Sequence, residues 1–173
     1  MEREVKLNLG GRESRIDGFL NIDLCPGETV DIASDISDLA MFKDGSVSEI
    51  YASHCLEHFS HKKTVVVLSE WRRVMKNGGK VYISVPSFDV LVKLFRERGM
   101  TLWIMSMLYG DQDDKFGFHY VGFTYPWLLR CLSLAGFSNG REIKDMPYGV
   151  RDRSKLVETG SYKPVSINVE AVA

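Results

Sequence analysis

The run Arg73-Val-Met-Lys-Asn-Gly-Gly-Lys-Val-Tyr-Ile-Ser-Val-Pro86 decides the fold. Its first half closes a helical pattern. Over residues 62–76, apolar Leu68, Trp71, Val74 and Met75 recur at three- and four-residue spacing, one face of an amphipathic helix. Ser60 can cap its start and Asn77-Gly78 supplies a left-handed stop. The second half, Lys80 to Val85, is a β-branched and aromatic run between two glycines and a proline, the clearest strand in the chain. A helix running directly into a strand is half of a βαβ unit, and such units build parallel sheets.

Working outward, the alternation continues. Toward the N-terminus, strands are expected at residues 5–9, 19–23, 30–33 and 49–53, punctuated by Gly10-Gly11, Pro26-Gly27 and Asp44-Gly45. Toward the C-terminus, Ser87 can cap a helix carrying Val90, Leu91, Leu94 and Phe95 and ended by Gly99. Thr124, with Pro126 in the first turn, opens another that carries Leu128, Leu129, Cys131, Leu132 and Ala135. Two late strands, at 141–146 and 166–173, have a loop between them and predict an antiparallel hairpin at one edge. The expected fold is one α/β domain over residues 1–173. It is a Rossmann-like, seven-stranded, mostly parallel sheet with helices on both faces and a C-terminal antiparallel hairpin.

Composition bounds the function. The 173 residues carry 22 Lys+Arg and 23 Asp+Glu, a net charge of −1, and a nucleic-acid partner is not expected without a basic excess. Apolar content of 45% with 26% charged residues is that of a globular domain. No basic segment leads into an apolar leader, and the longest apolar stretch, Leu102 to Tyr109, falls far short of the roughly 20 residues that span a bilayer. Cys25, Cys55 and Cys131 are scattered and odd in number, so no disulfide framework is expected and a cytoplasmic location fits.

In open α/β sheets the ligand lies beyond the carboxyl ends of the strands. There the sequence places Asn8 with Gly10 and Gly11, then Asp23, then Asp35 with Ile36, then Ser53 with His54. Glycines let backbone approach a ligand, and a strand-end carboxylate can accept both hydroxyls of a ribose. A third-strand carboxylate can take an exocyclic amine, or cap the short segment that follows it.

Taken together, Leu7-Asn-Leu-Gly-Gly11, Asn21-Ile-Asp23, Ser34-Asp-Ile36, the run from Glu49 through Leu56-Glu57-His58 to Phe59, and the Arg73–Pro86 run resemble the successive motifs of class I S-adenosylmethionine-dependent methyltransferases. The resemblance covers about residues 5 to 95. It implies S-adenosyl-L-methionine as cofactor. The methionine part would lie over Gly10 and Gly11, ribose at Asp23, adenine at Asp35 and Ile36, and the cofactor would be lined by Ser53 and His54. Two departures stand out. The family's usual acidic residue is replaced by Asn8, and Gly11 to Phe19 is too short for the helix that normally joins the first two strands.

The expected reaction is methyl transfer to an oxygen or nitrogen of a small-molecule or sugar-containing acceptor. His119 is the first candidate base and His54 the second, since an imidazole titrates near neutrality. The aromatic run Phe116-Gly-Phe-His-Tyr120 suits an acceptor pocket. The apolar segment from Met100 to Tyr109 must be covered, as core, as a lid or as a homodimer face. Four other readings are weaker. His54-Cys-Leu-Glu57-His58 matches the inverted zincin pattern, but it starts at a strand end and no third ligand stands out, so no metal is expected. The 13-residue spacing from Gly10 to Asp23 is short for a dinucleotide oxidoreductase. A non-catalytic cofactor-binding module of the same fold is the main alternative. The run Asp111-Gln-Asp-Asp-Lys115 has Gly122 where a calcium loop needs Glu, and reads as a solvated loop.

Overall fold

The computed structural model describes residues 4–150, 154, 156–158, 161–163 and 165–173. Among the described residues, nine strands and four α-helices follow one another as β1 (Val5–Leu9), β2 (Leu20–Asp23), β3 (Ile32–Ala33), β4 (Val47–Ser53), α1 (Thr64–Val74), β5 (Met75–Pro86), α2 (Phe88–Arg98), α3 (Leu102–Tyr109), α4 (Tyr125–Leu134), β6 (Ser138–Glu142), β7 (Leu156–Glu158), β8 (Ser161–Lys163) and β9 (Ser166–Val172). Seven of the strands form one sheet in the order β3-β2-β1-β4-β5-β9-β6. The first five pair in parallel, and β9 runs antiparallel to both β5 and β6. Strand order reverses between β1 and β4, and the carboxyl ends there open onto the site.

The expected elements hold, with shifted bounds. Helix α1 spans Thr64–Val74 rather than 62–76, and Lys63 stands at its N-cap with no side-chain cap. Ser60 helps through its carbonyl, which accepts the Thr64 N–H. The helix stops before Asn77-Gly78 because Met75 is already extended and paired with Val47, its side chain buried in the sheet. The late strand expected at 141–146 lies at Ser138–Glu142. Its sequence, Ser-Asn-Gly-Arg-Glu, has no apolar alternation, and a register shift between Ser138 and Arg141 breaks its ladder, so nothing in the pattern marks it. Beyond it, Ile143 and Met146 pack against Ile16, Phe19, Tyr51 and Tyr82. The hairpin link is also more than a loop, since it holds a 3₁₀ turn at Pro147–Gly149 and the ribbon β7–β8. Ser87, Thr101 and Thr124 cap α2, α3 and α4 by accepting the N–H groups of Val90, Ile104 and Trp127.

The two faces of the sheet differ. Ile50, Ala52, Val81, Ile83 and Val85 alternate onto one face, where α1 and α4 pack side by side through Val67, Leu68, Trp71, Leu128 and Leu132. The other face carries a lateral row across four strands in register, Asn21–Asn8–Tyr51–Tyr82. That row is covered by Ile16 and Phe19 from the first loop and by Tyr148, whose ring stands edge-on to Phe19, Tyr51 and Tyr82.

Candidate active site

The missing helix after β1 is replaced by a loop held by two buried amides. Asn8 Nδ2 donates to the Ser14 carbonyl at 2.6 Å and to Asn21 Oδ1 at 3.0 Å. Asn21 Nδ2 donates to the carbonyls of Arg12 and Thr29 at 3.1 and 2.9 Å. Asn8 thus lines the cavity as expected, but its amide N–H groups are spent on the loop. Asn21, absent from the sequence-based site, is its partner. Two asparagines at matching positions of neighbouring strands were the available signal. Gly10 turns the chain at φ +68°, and a Cβ there would lie 2.5 Å from the Cys55 Cβ. A Cβ on Gly11 would lie 2.1 Å from Asn21 Oδ1 and 2.2 Å from Asn8 Nδ2. Both positions need glycine.

Asp23 ties two loops together. Its Oδ2 accepts the Arg12 N–H at 3.0 Å and its Oδ1 the Cys25 N–H at 2.9 Å. Each oxygen keeps a further lone pair for a hydroxyl. Asp35 Oδ1 accepts the Ser37 N–H at 2.8 Å, so the turn-capping reading of Asp35 is realised at the cavity wall. Ile36 is buried beside it, and its carbonyl accepts the Trp71 indole N–H at 2.8 Å. Helix α1 fastens the rest of this loop through Arg73, which grips both Glu70 oxygens at 2.7 Å and donates to the carbonyls of Leu39 and Phe42. Asn8, Gly10, Gly11, Asp23, Asp35, Ile36, Ser53 and His54 all line one cavity of about 560 Å³. That volume suits a nucleoside-sized ligand.

At the far side of the cavity the run after β4 turns sharply. His54 adopts φ +53°, rare for a residue with a side chain, while its N–H donates to the Ser84 carbonyl. Its ring is held at both nitrogens. Nδ1 bonds Glu57 Oε1 at 3.2 Å, and Nε2 meets the Ser166 hydroxyl at 3.2 Å. A 3₁₀ turn at Leu56–His58 then buries Glu57 to 1% exposure. Burial alone would raise the Glu57 pKa, but the His54 N–H and the charges of His54, His58 and His119 outweigh it, so its pKa lies below the ordinary value. His119 arrives from the segment between α3 and α4, and its ring stands edge-on to His58 with centroids 4.7 Å apart. Burial lowers the His119 pKa despite the opposing pull of Glu57. Both His58 and His119 line the cavity, and His119 also walls a second one of about 370 Å³ behind α3, with Phe88, Phe95 and Tyr120. The acidic run at 111–115 lies along the first cavity's rim.

The sequence model for the methyltransferase domain matches residues 20–83. Among solved structures, the chain resembles a SAM-dependent methyltransferase from Archaeoglobus fulgidus at 15% identity and a TM-score of 0.64, covering 99% of this chain and 87% of that one. A SAM-dependent methyltransferase from Methanosarcina mazei shares 16% identity with a TM-score of 0.59, over 99% and 92% of the two chains. The 1,6-didemethyltoxoflavin-N1-methyltransferase of Burkholderia thailandensis, solved with S-adenosylhomocysteine, shares 16% identity with a TM-score of 0.55, over 97% and 70%. None of the curated protein sequences matches the chain. The chain has the fold of class I methyltransferases, and its residues 20–83 resemble their methyltransferase domain. The solved enzymes it resembles are SAM-dependent, and the glycine cradle, strand-end carboxylate and cavity volume fit such a ligand.

Proposed function

We propose that the chain is an S-adenosylmethionine-dependent methyltransferase that transfers a methyl group to an oxygen or nitrogen of a small-molecule or sugar-containing acceptor, which sits beside His119. S-adenosylmethionine supplies an electrophilic methyl on a sulfonium. The observation that carries the reading is the shared wall: His119 borders the cavity that holds every expected cofactor residue and also the apolar cavity behind α3. Gly10 and Gly11 leave room for the methionine part, Asp23 accepts the ribose hydroxyls, and Asp35 with Ile36 holds the adenine. Ser53 lines the cofactor's middle.

Displacement at a methyl group needs alignment of reacting atoms at about 3–3.5 Å and exclusion of water more than covalent help. His54, held at both ring nitrogens, acts as a positioning residue for Glu57. His119 holds the Met107 carbonyl through Nδ1 at 3.0 Å, which leaves Nε2 for the acceptor side.

The test separates cofactor from chemistry. At about 100 times its dissociation constant, S-adenosylhomocysteine should stabilise the protein by roughly 2.7 kcal/mol, a rise of about 5–11 °C in melting temperature. NAD and ATP should give none. His119→Ala should keep that rise and lose about 10²-fold or more in turnover across an acceptor panel. No rise with S-adenosylhomocysteine sinks the reading. Retained binding with no turnover on any acceptor points instead to a cofactor-binding module.

A cytoplasmic location and pairing of two copies belong to the same proposal. Leu102, Met105 and Tyr109 of α3 are 87%, 44% and 51% exposed, an apolar face of the kind a two-fold interface covers. No helix among the described residues is long and apolar enough to cross a membrane. Light scattering should give twice the chain mass, and Leu102→Glu should return it to one.

A further inference from the structure

We propose that Glu57, His58 and His119 form a divalent metal site, taking Zn²⁺ or another borderline transition ion. One ligand atom from each residue lies within 4.8 Å of the other two. Tetrahedral zinc at about 2.0–2.1 Å from each ligand needs them about 3.4 Å apart, a closure within reach of side-chain rotation. No third ligand stands near His54 and His58 in the sequence, and the fold supplies one from a segment 61 residues beyond His58.

Three independent features of the cluster point to a cation. First, Glu57 is 1% exposed, and its Oε2 has no hydrogen-bond partner among the described residues. A buried carboxylate oxygen left unmet costs more than an unmet neutral group, so a ligand belongs there.

Second, each ligand is oriented from behind. His58 Nδ1 lies 3.0 Å from the Phe118 carbonyl and His119 Nδ1 3.0 Å from the Met107 carbonyl. A carbonyl can only accept, so Nδ1 carries the proton in both rings and Nε2 keeps its lone pair. The other Glu57 oxygen, Oε1, is bonded to His54 Nδ1. Outer partners of this kind fix the tautomer and aim of metal ligands.

Third, one backbone bond joins the two contributing segments, and another ties the His119 segment to the end of α3. Tyr120 N–H donates to the Glu57 carbonyl at 2.8 Å, and His119 N–H to the Tyr109 carbonyl at 3.0 Å.

Two imidazoles and one carboxylate suit zinc and its neighbours, and not magnesium or calcium, which prefer all-oxygen shells. Because His58 and His119 line the larger cavity, the ion's remaining position faces it. In the methyltransferase reading, on which this last step rests, that position holds the acceptor's oxygen or nitrogen beside the methyl donor, and the ion, not a free His119 Nε2, is then what meets the acceptor.

The experiment uses the whole chain, stripped with a chelator and titrated with Co²⁺. One equivalent should produce a visible d–d absorption that Zn²⁺ abolishes, and Zn²⁺ should raise the melting temperature. His119→Ala and His58→Ala should each weaken binding by about a hundredfold or more, while His61→Ala, outside the cluster, should not change it. Melting of each chelator-treated variant against chelator-treated wild type confirms folding, and either histidine variant alone decides the case if the other does not fold. No d–d band and no thermal shift overturns the site, as does Co²⁺ binding unchanged in both histidine variants. S-adenosylhomocysteine shifts measured in chelator keep the outcomes apart, since a rise there upholds the cofactor site whatever the metal does.

Discussion

Gly11→Ala is expected to abolish the S-adenosylhomocysteine-induced rise in melting temperature and to lower the protein's own stability by about 2–4 kcal/mol, combining overpacking with a broken buried hydrogen bond. The added methyl would sit 2.1 Å from Asn21 Oδ1 and 2.2 Å from Asn8 Nδ2. Neither side chain can swing aside, because Asn8 is 1% and Asn21 0% exposed, and each is fastened to loop carbonyls. The clash therefore falls on the clasp that shapes the loop from Gly10 to Phe19. Gly18→Ala is the control. It lies in the same loop at φ +82° with nothing within 4 Å of its added methyl, so it carries only the backbone strain, roughly 1–2 kcal/mol, and should keep the ligand response. Thermal melts with and without S-adenosylhomocysteine read both effects. A ligand response intact in Gly11→Ala would show that the clasp does not shape the site.

The second large effect is at Trp71. It is fully buried in the face of α1 that meets the sheet, and its indole holds the Ile36 carbonyl. Trp71→Ala should cost about 3–5 kcal/mol from the cavity alone, which lowers the melting temperature by roughly 6–20 °C. Trp71→Phe keeps most of the bulk and removes the N–H. It should cost about 1–3 kcal/mol, the penalty for an unmet buried carbonyl, and weaken S-adenosylhomocysteine binding, because Ile36 lines the cavity where the proposed function seats the adenine. Equal affinity in Trp71→Phe and wild type would separate the loop from the cofactor.

The strands and helices that carry apolar periodicity were legible in the sequence, and so was the set of residues that lines the large cavity, because strand ends in this topology converge on one edge. Lys80–Val85 and the Leu68–Trp71–Val74 stripe announce themselves through side-chain chemistry alone. Ser138–Glu142 does not, since an edge strand of polar residues is specified by its partner β9 rather than by its own pattern. The site's far side was half visible. The spacing of His54, Glu57 and His58 stood out as a five-residue pattern, but a linear pattern pairs His54 with His58 on one helical face. The fold breaks that pairing at the left-handed turn of His54, sends its ring to Glu57 and Ser166, and brings His119 against His58 instead. Contacts between residues so far apart in the chain leave no periodic trace.

The asparagine clasp also bears on how the chain finds its fold. Parallel neighbours ordinarily wait for a crossover of a dozen or more residues, usually a helix that must itself form and dock. Here residues 10–19 alone join β1 to β2. Each halving of a connecting loop saves about 0.6 kcal/mol of closure entropy, and short-range pairings raise folding rates. The β1–β2 pair, normally a late and long-range event in a doubly wound sheet, becomes a local one. It can form before the helices dock and give β4 an edge on which to add.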